Sequence, residues 1–255
     1  MPTLIRDGVE LYYETHGQGT PVLLTHGYAA TSQMWRGQVA PLTGAGYQLI
    51  AWDMRGHGRS EYPAEQGAYS REATVADMAA ILDAVGATRA VIGGLSLGGY
   101  MSMAFYALHP ERTLGLLIFD TGPGYRNAKA REDWNVYAND AADRYQAEGL
   151  ARLAAGSAEA QMAEHRSADG LVKAARGMLT QHDALVMDTL PDVKVPALVL
   201  VGADDARYLT ATDYMAAKIP GAKKAVIANA GHGANIDQPE AFNRAVLDFL
   251  KGAGL

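Results

Sequence analysis

Apolar residues fall into two kinds of run along this chain, and the alternation of the two predicts its architecture. Residues 22–25, 47–52, 90–93, 114–119 and 197–201 are short, apolar and without polar alternation, as strands covered on both faces must be. Residues 3–6 and 9–15 are joined by Asp7-Gly8, a two-residue hairpin signal that predicts an antiparallel pair at the start. Residues 223–228 read as an edge strand. Helical stripes lie between the strands. Ala73, Ala76, Ala80, Leu82 and Val85 share one face of a segment ending before Gly86, and a helix over 100–109 is stopped by Pro110. A last helix over 239–250 starts at Pro239, buries Phe242, Ala245, Val246, Phe249 and Leu250, and is expected to stop at Gly252.

Strands and helices in this order imply an α/β fold, a mostly parallel sheet whose right-handed crossovers place helices on both faces. The rhythm breaks between residues 122 and 190. No strand is predicted there, Ala and Arg are frequent, and Trp134, Tyr137, Ala141 and Tyr145 recur at helical spacing. This stretch is expected to be a small inserted helical cap, with 1–121 and 191–255 forming the two parts of one core. No internal repeat or low-complexity segment interrupts the pattern.

Composition narrows the function classes. With 255 residues, 49% hydrophobic and 20% charged, the chain is long enough for one large globular domain. A net charge of −6 supplies no basic surface for nucleic acid or an anionic membrane, so a small-molecule substrate is expected and neither of those partners. The absence of cysteine removes disulfides and thiol chemistry. The first residues, Met1 to Asp7, lack a basic start followed by an apolar stretch, and no run approaches spanning length. A cytoplasmic location is the expectation.

The chemistry concentrates at three places. Gly94-Leu95-Ser96-Leu97-Gly98 lies between an apolar run and a helix-like stretch, the setting in which a serine is forced onto a sharp turn with its hydroxyl above the sheet. Serine needs a base, and the base needs an orienting group. Of seven histidines, His232 in Ala230-Gly231-His232-Gly233-Ala234 alone sits between the last strand and the last helix, and an imidazole exchanges protons near neutrality. Three carboxylates compete for the third role: Asp205 and Asp204 after the strand ending at Gly202, and Asp120 after the preceding strand. An oxyanion needs preorganised donors. The Leu97 amide follows from the turn, and the Tyr28 amide, after Gly27, is the second candidate. His26 is expected to orient its own loop. Trp35 and Trp134 are candidates for an apolar acyl pocket. Arg126, near Lys129 and Arg131, is the candidate for a substrate carboxylate, against the alternative of a solvated face paired with Glu132 and Asp133.

Taken together, Thr25-His26-Gly27-Tyr28, Trp52-Asp53-Met54-Arg55-Gly56-His57-Gly58-Arg59-Ser60, Gly94-Leu95-Ser96-Leu97-Gly98-Gly99, Gly202-Ala203-Asp204-Asp205 and Gly231-His232 resemble the α/β-hydrolase fold family in order and interval. The match spans nearly all of the chain outside the cap. The resemblance implies a mostly parallel α/β-hydrolase sheet and, through the family's G-x-x-D spacing, favours Asp205 as the acid. It makes Asp53 to Gly58 a structural loop, so Arg55 and His57 receive no chemistry. No cofactor is implied, and no metal, since His57 and Asp53 have no third ligand at suitable spacing.

Within the family, serine at the elbow is unlike the aspartate of haloalkane dehalogenases and epoxide hydrolases. Carbon–carbon hydrolases commonly place Asn where Leu95 stands, and cofactor-free haloperoxidases and perhydrolases often place proline where Ala29 stands. The elbow and the short cap look most like small-ester hydrolases and enol-lactonases, acting through an acyl-enzyme on an ester or lactone. Carbon–carbon bond hydrolysis and haloperoxidase or perhydrolase activity are the alternatives in the same fold. A ligand-binding receptor or pseudoenzyme that keeps the pocket is the alternative of another class.

Overall fold

The computed structural model describes residues 3–255. Its sheet has eight strands, β1 (Thr3–Arg6), β2 (Val9–His16), β3 (Thr20–Thr25), β4 (Tyr47–Trp52), β5 (Ala90–Leu95), β6 (Thr113–Phe119), β7 (Ala197–Gly202) and β8 (Lys223–Ile227), in the order β1-β2-β4-β3-β5-β6-β7-β8. β1 and β2 pair antiparallel, as does β2 with β4, and every other pairing is parallel. Asp7 and Gly8 take φ of 50° and 75°, the left-handed pair that a two-residue hairpin demands.

The helices are α1 (Arg36–Gly44), α2 (Arg71–Ala84), α3 (Leu97–Leu108), α4 (Ala128–Glu148), α5 (Ala158–Gln161), α6 (Ala168–Ala174), α7 (Leu185–Thr189), α8 (Ala206–Lys218), α9 (Ala234–Asp237) and α10 (Pro239–Gly252). Alternate residues of each central strand serve different cores. Ile92, Leu116, Ile118 and Val199 join Met78, Ile81, Met101, Phe105 and Met215 on the face covered by α2, α3 and α8. Val91, Leu117, Phe119 and Leu200 join Trp35, Leu42, Phe242, Val246 and Leu250 on the face covered by α1 and α10. Burial on both sides is the reason those strands read as unbroken apolar runs.

Between β6 and β7 the described residues contain helices and no strand. α4, α5 and α6 bury Ala142, Tyr145, Ala160, Leu171 and Val172 together against Tyr28 and Ala29. α7 instead returns to the body of the fold, where Val186 and Leu190 pack with Met103 and Tyr106.

Three local expectations change. α3 starts at Leu97, not at residue 100, because the turn at Ser96 feeds directly into it. α10 runs through Gly252, and the left-handed residue that follows its end is Gly254, φ 69°. α1 and α8 are helices that the sequence pattern does not predict; α1 carries Gly37 and Pro41, both poor helix formers, and each helix is held by the sheet it covers.

The strand order places the site. β3 lies between β4 and β5, so the chain leaves it in one direction and later returns on the other side. At such a reversal the loops after adjacent strands diverge and leave a crevice at the carboxyl ends. The loop after β3 carries Gly27 and Tyr28, and the turn after β5 carries Ser96.

Candidate active site

Ser96 occupies φ 56°, ψ −118°, a region costing an L-residue on the order of 1–3 kcal/mol. The surroundings hold it there: its N–H donates to the Phe119 carbonyl at 2.9 Å, and its own carbonyl accepts from the Tyr100 N–H at 3.0 Å and the Thr121 hydroxyl at 2.7 Å. The flanking glycines are steric necessities. A Cβ at Gly98 would stand 2.1 Å from the Thr25 carbonyl oxygen, and one at Gly94 2.5 Å from it. The elbow is thereby pressed against the end of β3.

His232, from the loop after β8, donates from Nδ1 to Asp205 Oδ2 at 2.7 Å, which fixes the tautomer with Nε2 unprotonated and free to accept. Burial works against the imidazolium, but the hydrogen bond to Asp205 and the charges of Glu159, Asp205 and Asp120 outweigh it and raise the His232 pKa. Tyr208 stacks on the imidazole, centroids 5.2 Å apart and planes 23° from parallel. Burial pushes its phenol up to about 12, opposed by the charge of Arg207.

The other two candidate acids stand elsewhere. Asp204 is exposed and its N–H donates to the Ala230 carbonyl at 2.9 Å. Asp120 is buried, accepts from the Gly202 N–H at 2.8 Å through Oδ1, and is pushed up to about 8 by burial. It ties β6 to β7 beneath the histidine.

Gly27 lies against the nucleophile, so that a Cβ there would be 3.4 Å from the Ser96 Cβ. The Tyr28 and Leu97 amides have no backbone acceptor among the described residues, Leu97 being the first residue of α3 and so one of its unpaired donors. The loop is held by histidines. His26 donates from Nδ1 to the Gly27 carbonyl at 2.7 Å and accepts from the Met54 N–H at 2.9 Å. His57 is arranged likewise, between the Arg55 carbonyl and the Ala29 N–H. His165 reaches in from beyond α5, between the Gly58 N–H and the Ala29 carbonyl. Burial lowers all three pKa values, that of His26 to about 4, so neutral rings support the loop. Asp53 accepts from the Ser32 and Arg59 amides, and Arg55 is paired with buried Asp77 at 2.6 Å.

Two adjoining cavities meet at Ser96. One of about 430 Å³ is lined by Leu97, Tyr125, Trp134, Tyr137, Arg207 and Tyr208, among others. The second, about 340 Å³, shares Trp134, Tyr137, Arg207 and Tyr208 and adds Tyr28, Glu159, Asp205 and His232. A larger groove of about 1000 Å³ between β8 and the end of α10 lies at the opposite edge of the sheet and contains neither serine nor histidine.

Trp134 is thus a pocket residue, but two expected pocket residues are not. Trp35 is fully buried beneath the sheet, its ring 6.2 Å from Phe119; the chain after the Tyr28 loop turns down toward α1 and carries it to the far face. Arg126 is largely exposed and paired with Asp188 at 2.6 Å, outside both cavities. Sequence reasoning missed Glu159, Arg207 and Tyr208. Arg207 and Tyr208 follow Asp205 by two and three residues, in the first turn of a helix that was not anticipated, and this proximity was the available signal. Among the described residues no cluster of three His, Cys, Asp or Glu side chains could hold a metal ion, and no helix is long and apolar enough to cross a membrane.

Residues 20–182, well over half of the chain, match the family described as alpha/beta hydrolase fold. The chain belongs to the α/β-hydrolase fold family. Among solved structures of this fold, an esterase from Thermogutta terrifontis, determined with malate bound, is 30% identical, covers 99% of this chain and 97% of its own, and superposes with a TM-score of 0.82. The enol-lactonase from Burkholderia xenovorans LB400 is 27% identical over 98% of this chain and 100% of its own, TM-score 0.79. A bromoperoxidase from Bacillus anthracis is 25% identical over 95% and 96%, TM-score 0.77. The α/β-hydrolase sheet expected from the motifs is therefore the fold, and the family is one whose similar members include an esterase and an enol-lactonase.

Proposed function

We propose that this α/β-hydrolase is a serine hydrolase of small carboxylic esters or lactones that works through an acyl-enzyme. The observation that carries the reading is the His232–Asp205 hydrogen bond at 2.7 Å in the same cavity as a serine held at φ 56° on a strand-to-helix turn. Asp205 holds Nδ1–H, so the Nε2 lone pair takes the Ser96 proton as Oγ attacks the carbonyl carbon. The negative charge then moves onto the carbonyl oxygen, where the Tyr28 and Leu97 amides are the donors. Each such donor contributes roughly 3–4 kcal/mol to the transition state. The imidazolium returns its proton to the departing alcohol oxygen as the C–O bond breaks. Water, deprotonated by the same Nε2, then cleaves the acyl-serine and regenerates the hydroxyl. No cofactor is needed for any step.

The similarity to an esterase and an enol-lactonase over nearly the full chain supports this reading. Its test is labelling with a fluorophosphonate followed by peptide mapping, together with turnover of nitrophenyl esters. Modification of Ser96 that tracks loss of turnover is the expected result. Labelling elsewhere, or a labelled Ser96 with undiminished turnover, would overturn it, and labelling without any turnover across an ester and lactone panel would leave a ligand-binding protein instead.

A further inference from the structure

On the serine-hydrolase reading, the two cavities at Ser96 have different occupants. His232 must return its proton to the leaving alcohol, so the alcohol lies on the side of the imidazole. His232 and Glu159 line the 340 Å³ cavity and not the 430 Å³ one. The acyl chain is left the larger cavity, whose walls include Tyr100, Tyr125, Trp134 and Tyr137. Among the described residues Arg207 is the single Lys or Arg lining it.

The placement of Arg207 is electrostatically unusual. It stands in the first turn of α8, next after Ala206 and two residues beyond the Asp205 N-cap, where the helix dipole disfavours a cation. Its guanidinium lies 4.5 Å from the Tyr137 ring centroid, with the Tyr137 and Tyr208 phenols as its nearest polar neighbours, and among the described residues it forms no ion pair. Arg207 is exposed at the open side of the cavity, so solvent meets the donors that two phenols leave, and neither phenol neutralises the charge. Of the carboxylates lining the two cavities, Asp205 is held by His232 and Asp133 by Lys129, and Glu159 forms no ion pair with Arg207. Arg126, the arginine first expected to meet a substrate, is itself paired with Asp188. A cation without a counter-charge, edge donors free, at the wall of an aromatic chamber that opens on the nucleophile, matches a planar anion.

We propose that Arg207 binds a carboxylate on the acyl portion of the substrate, so that the enzyme acts on monoesters of short dicarboxylic acids, and on lactones bearing a carboxylate on the same side, in preference to neutral analogues. Arg207 borders the alcohol-side cavity as well, but there the Glu159 and Asp205 carboxylates repel an anion, which gives the preference its direction: a carboxylate on the alcohol is disfavoured where one on the acyl chain is favoured.

The experiment compares kcat/KM for the methylumbelliferyl monoester of adipic acid with that of the methylumbelliferyl ester of its monoamide, an uncharged isostere. The wild-type ratio is expected to be at least about tenfold in favour of the acid, equivalent to about 1.4 kcal/mol, to fall toward about one in Arg207→Gln, and to recover in part in Arg207→Lys. A wild-type ratio near one, or a ratio unchanged by Arg207→Gln, overturns the proposal while leaving the hydrolase reading intact, because the monoamide ester reports hydrolysis by itself. If neither ester is cleaved, the hydrolase reading fails and calorimetry with adipate decides the site alone. Binding to wild type that is lost in Arg207→Gln supports the carboxylate site, and no binding at millimolar adipate, or equal binding to both proteins, refutes it.

Discussion

Replacing the three neighbouring aspartates one at a time by asparagine separates the acid from its competitors. Asp205 Oδ2 receives the His232 Nδ1–H at 2.7 Å, and on the proposed mechanism its charge stabilises the imidazolium of the transition state. At a charge separation of about 4 Å and an effective dielectric of about 20 that attraction is about 4 kcal/mol, or roughly 10³-fold in rate. In Asp205→Asn the new amide can also present its NH₂ to the ring and select the wrong tautomer, which brings the expected loss in kcat to about 10³- to 10⁴-fold. Asp120 differs in kind. With its pKa pushed up to about 8 it carries a proton in most molecules at neutral pH, asparagine tolerates its φ of 44°, and the amide carbonyl can still accept from Gly202. Asp120→Asn is expected to cost less than about tenfold. Asp204→Asn, on an exposed side chain, is expected to leave turnover nearly unchanged. The assay is steady-state hydrolysis of one nitrophenyl ester by all three variants, with circular dichroism to establish that each is folded. A dominant loss at Asp120 or Asp204 would refute the assignment of Asp205.

Ser96→Ala and His232→Ala are each expected to lower kcat by a factor on the order of 10⁶, and the double variant by little more, because the two act as one unit; additive losses would mean that they do not. Since the His232 pKa is raised and the ring must be neutral to act as base, the acid limb of the kcat/KM profile should lie above about 6.5. Glu159, buried beside the histidine loop with Oε2 unpartnered, contributes to that raise, so Glu159→Gln should move the limb to lower pH; an unmoved limb would show that its charge does not reach His232. Asp120 binds a proton in the folded state up to about pH 8 that the unfolded chain releases near 4. Its contribution to stability is therefore complete below about 4 and lost as pH rises toward 8, and denaturant melts of Asp120→Asn should show a flatter pH dependence over that window than wild type. Chelators should leave activity unchanged, and loss with EDTA reversed by zinc would contradict the metal-free mechanism.

Local rules were enough to read the strands from the sequence. Apolar runs buried on both faces, a hairpin at Asp7-Gly8 and a serine between two glycines each follow from sterics and burial within a few residues, and β4 and β6 lie where those runs predicted. His232 was legible for the same reason, as the single histidine between the last strand and last helix. The fold family followed because several such local necessities occurred in one order. What the sequence could not determine were directions across the fold. Trp35 and Trp134 have the same apolar character, yet one turns beneath the sheet against Phe119 and the other roofs the cavity. Arg126 and Arg207 carry the same charge, yet Asp188 holds the first outside the site while α8 sets the second on the pocket wall. Asp204 and Asp205 differ by one position, and only the packing of β7, β8 and α8 turns the second toward the histidine. Glu159, from the short helix α5, meets the His232 loop through a contact between segments over seventy residues apart in sequence. Secondary structure is decided by neighbours along the chain, but a side chain's partner at a site is decided by which elements the sheet brings together, and no periodicity encodes that.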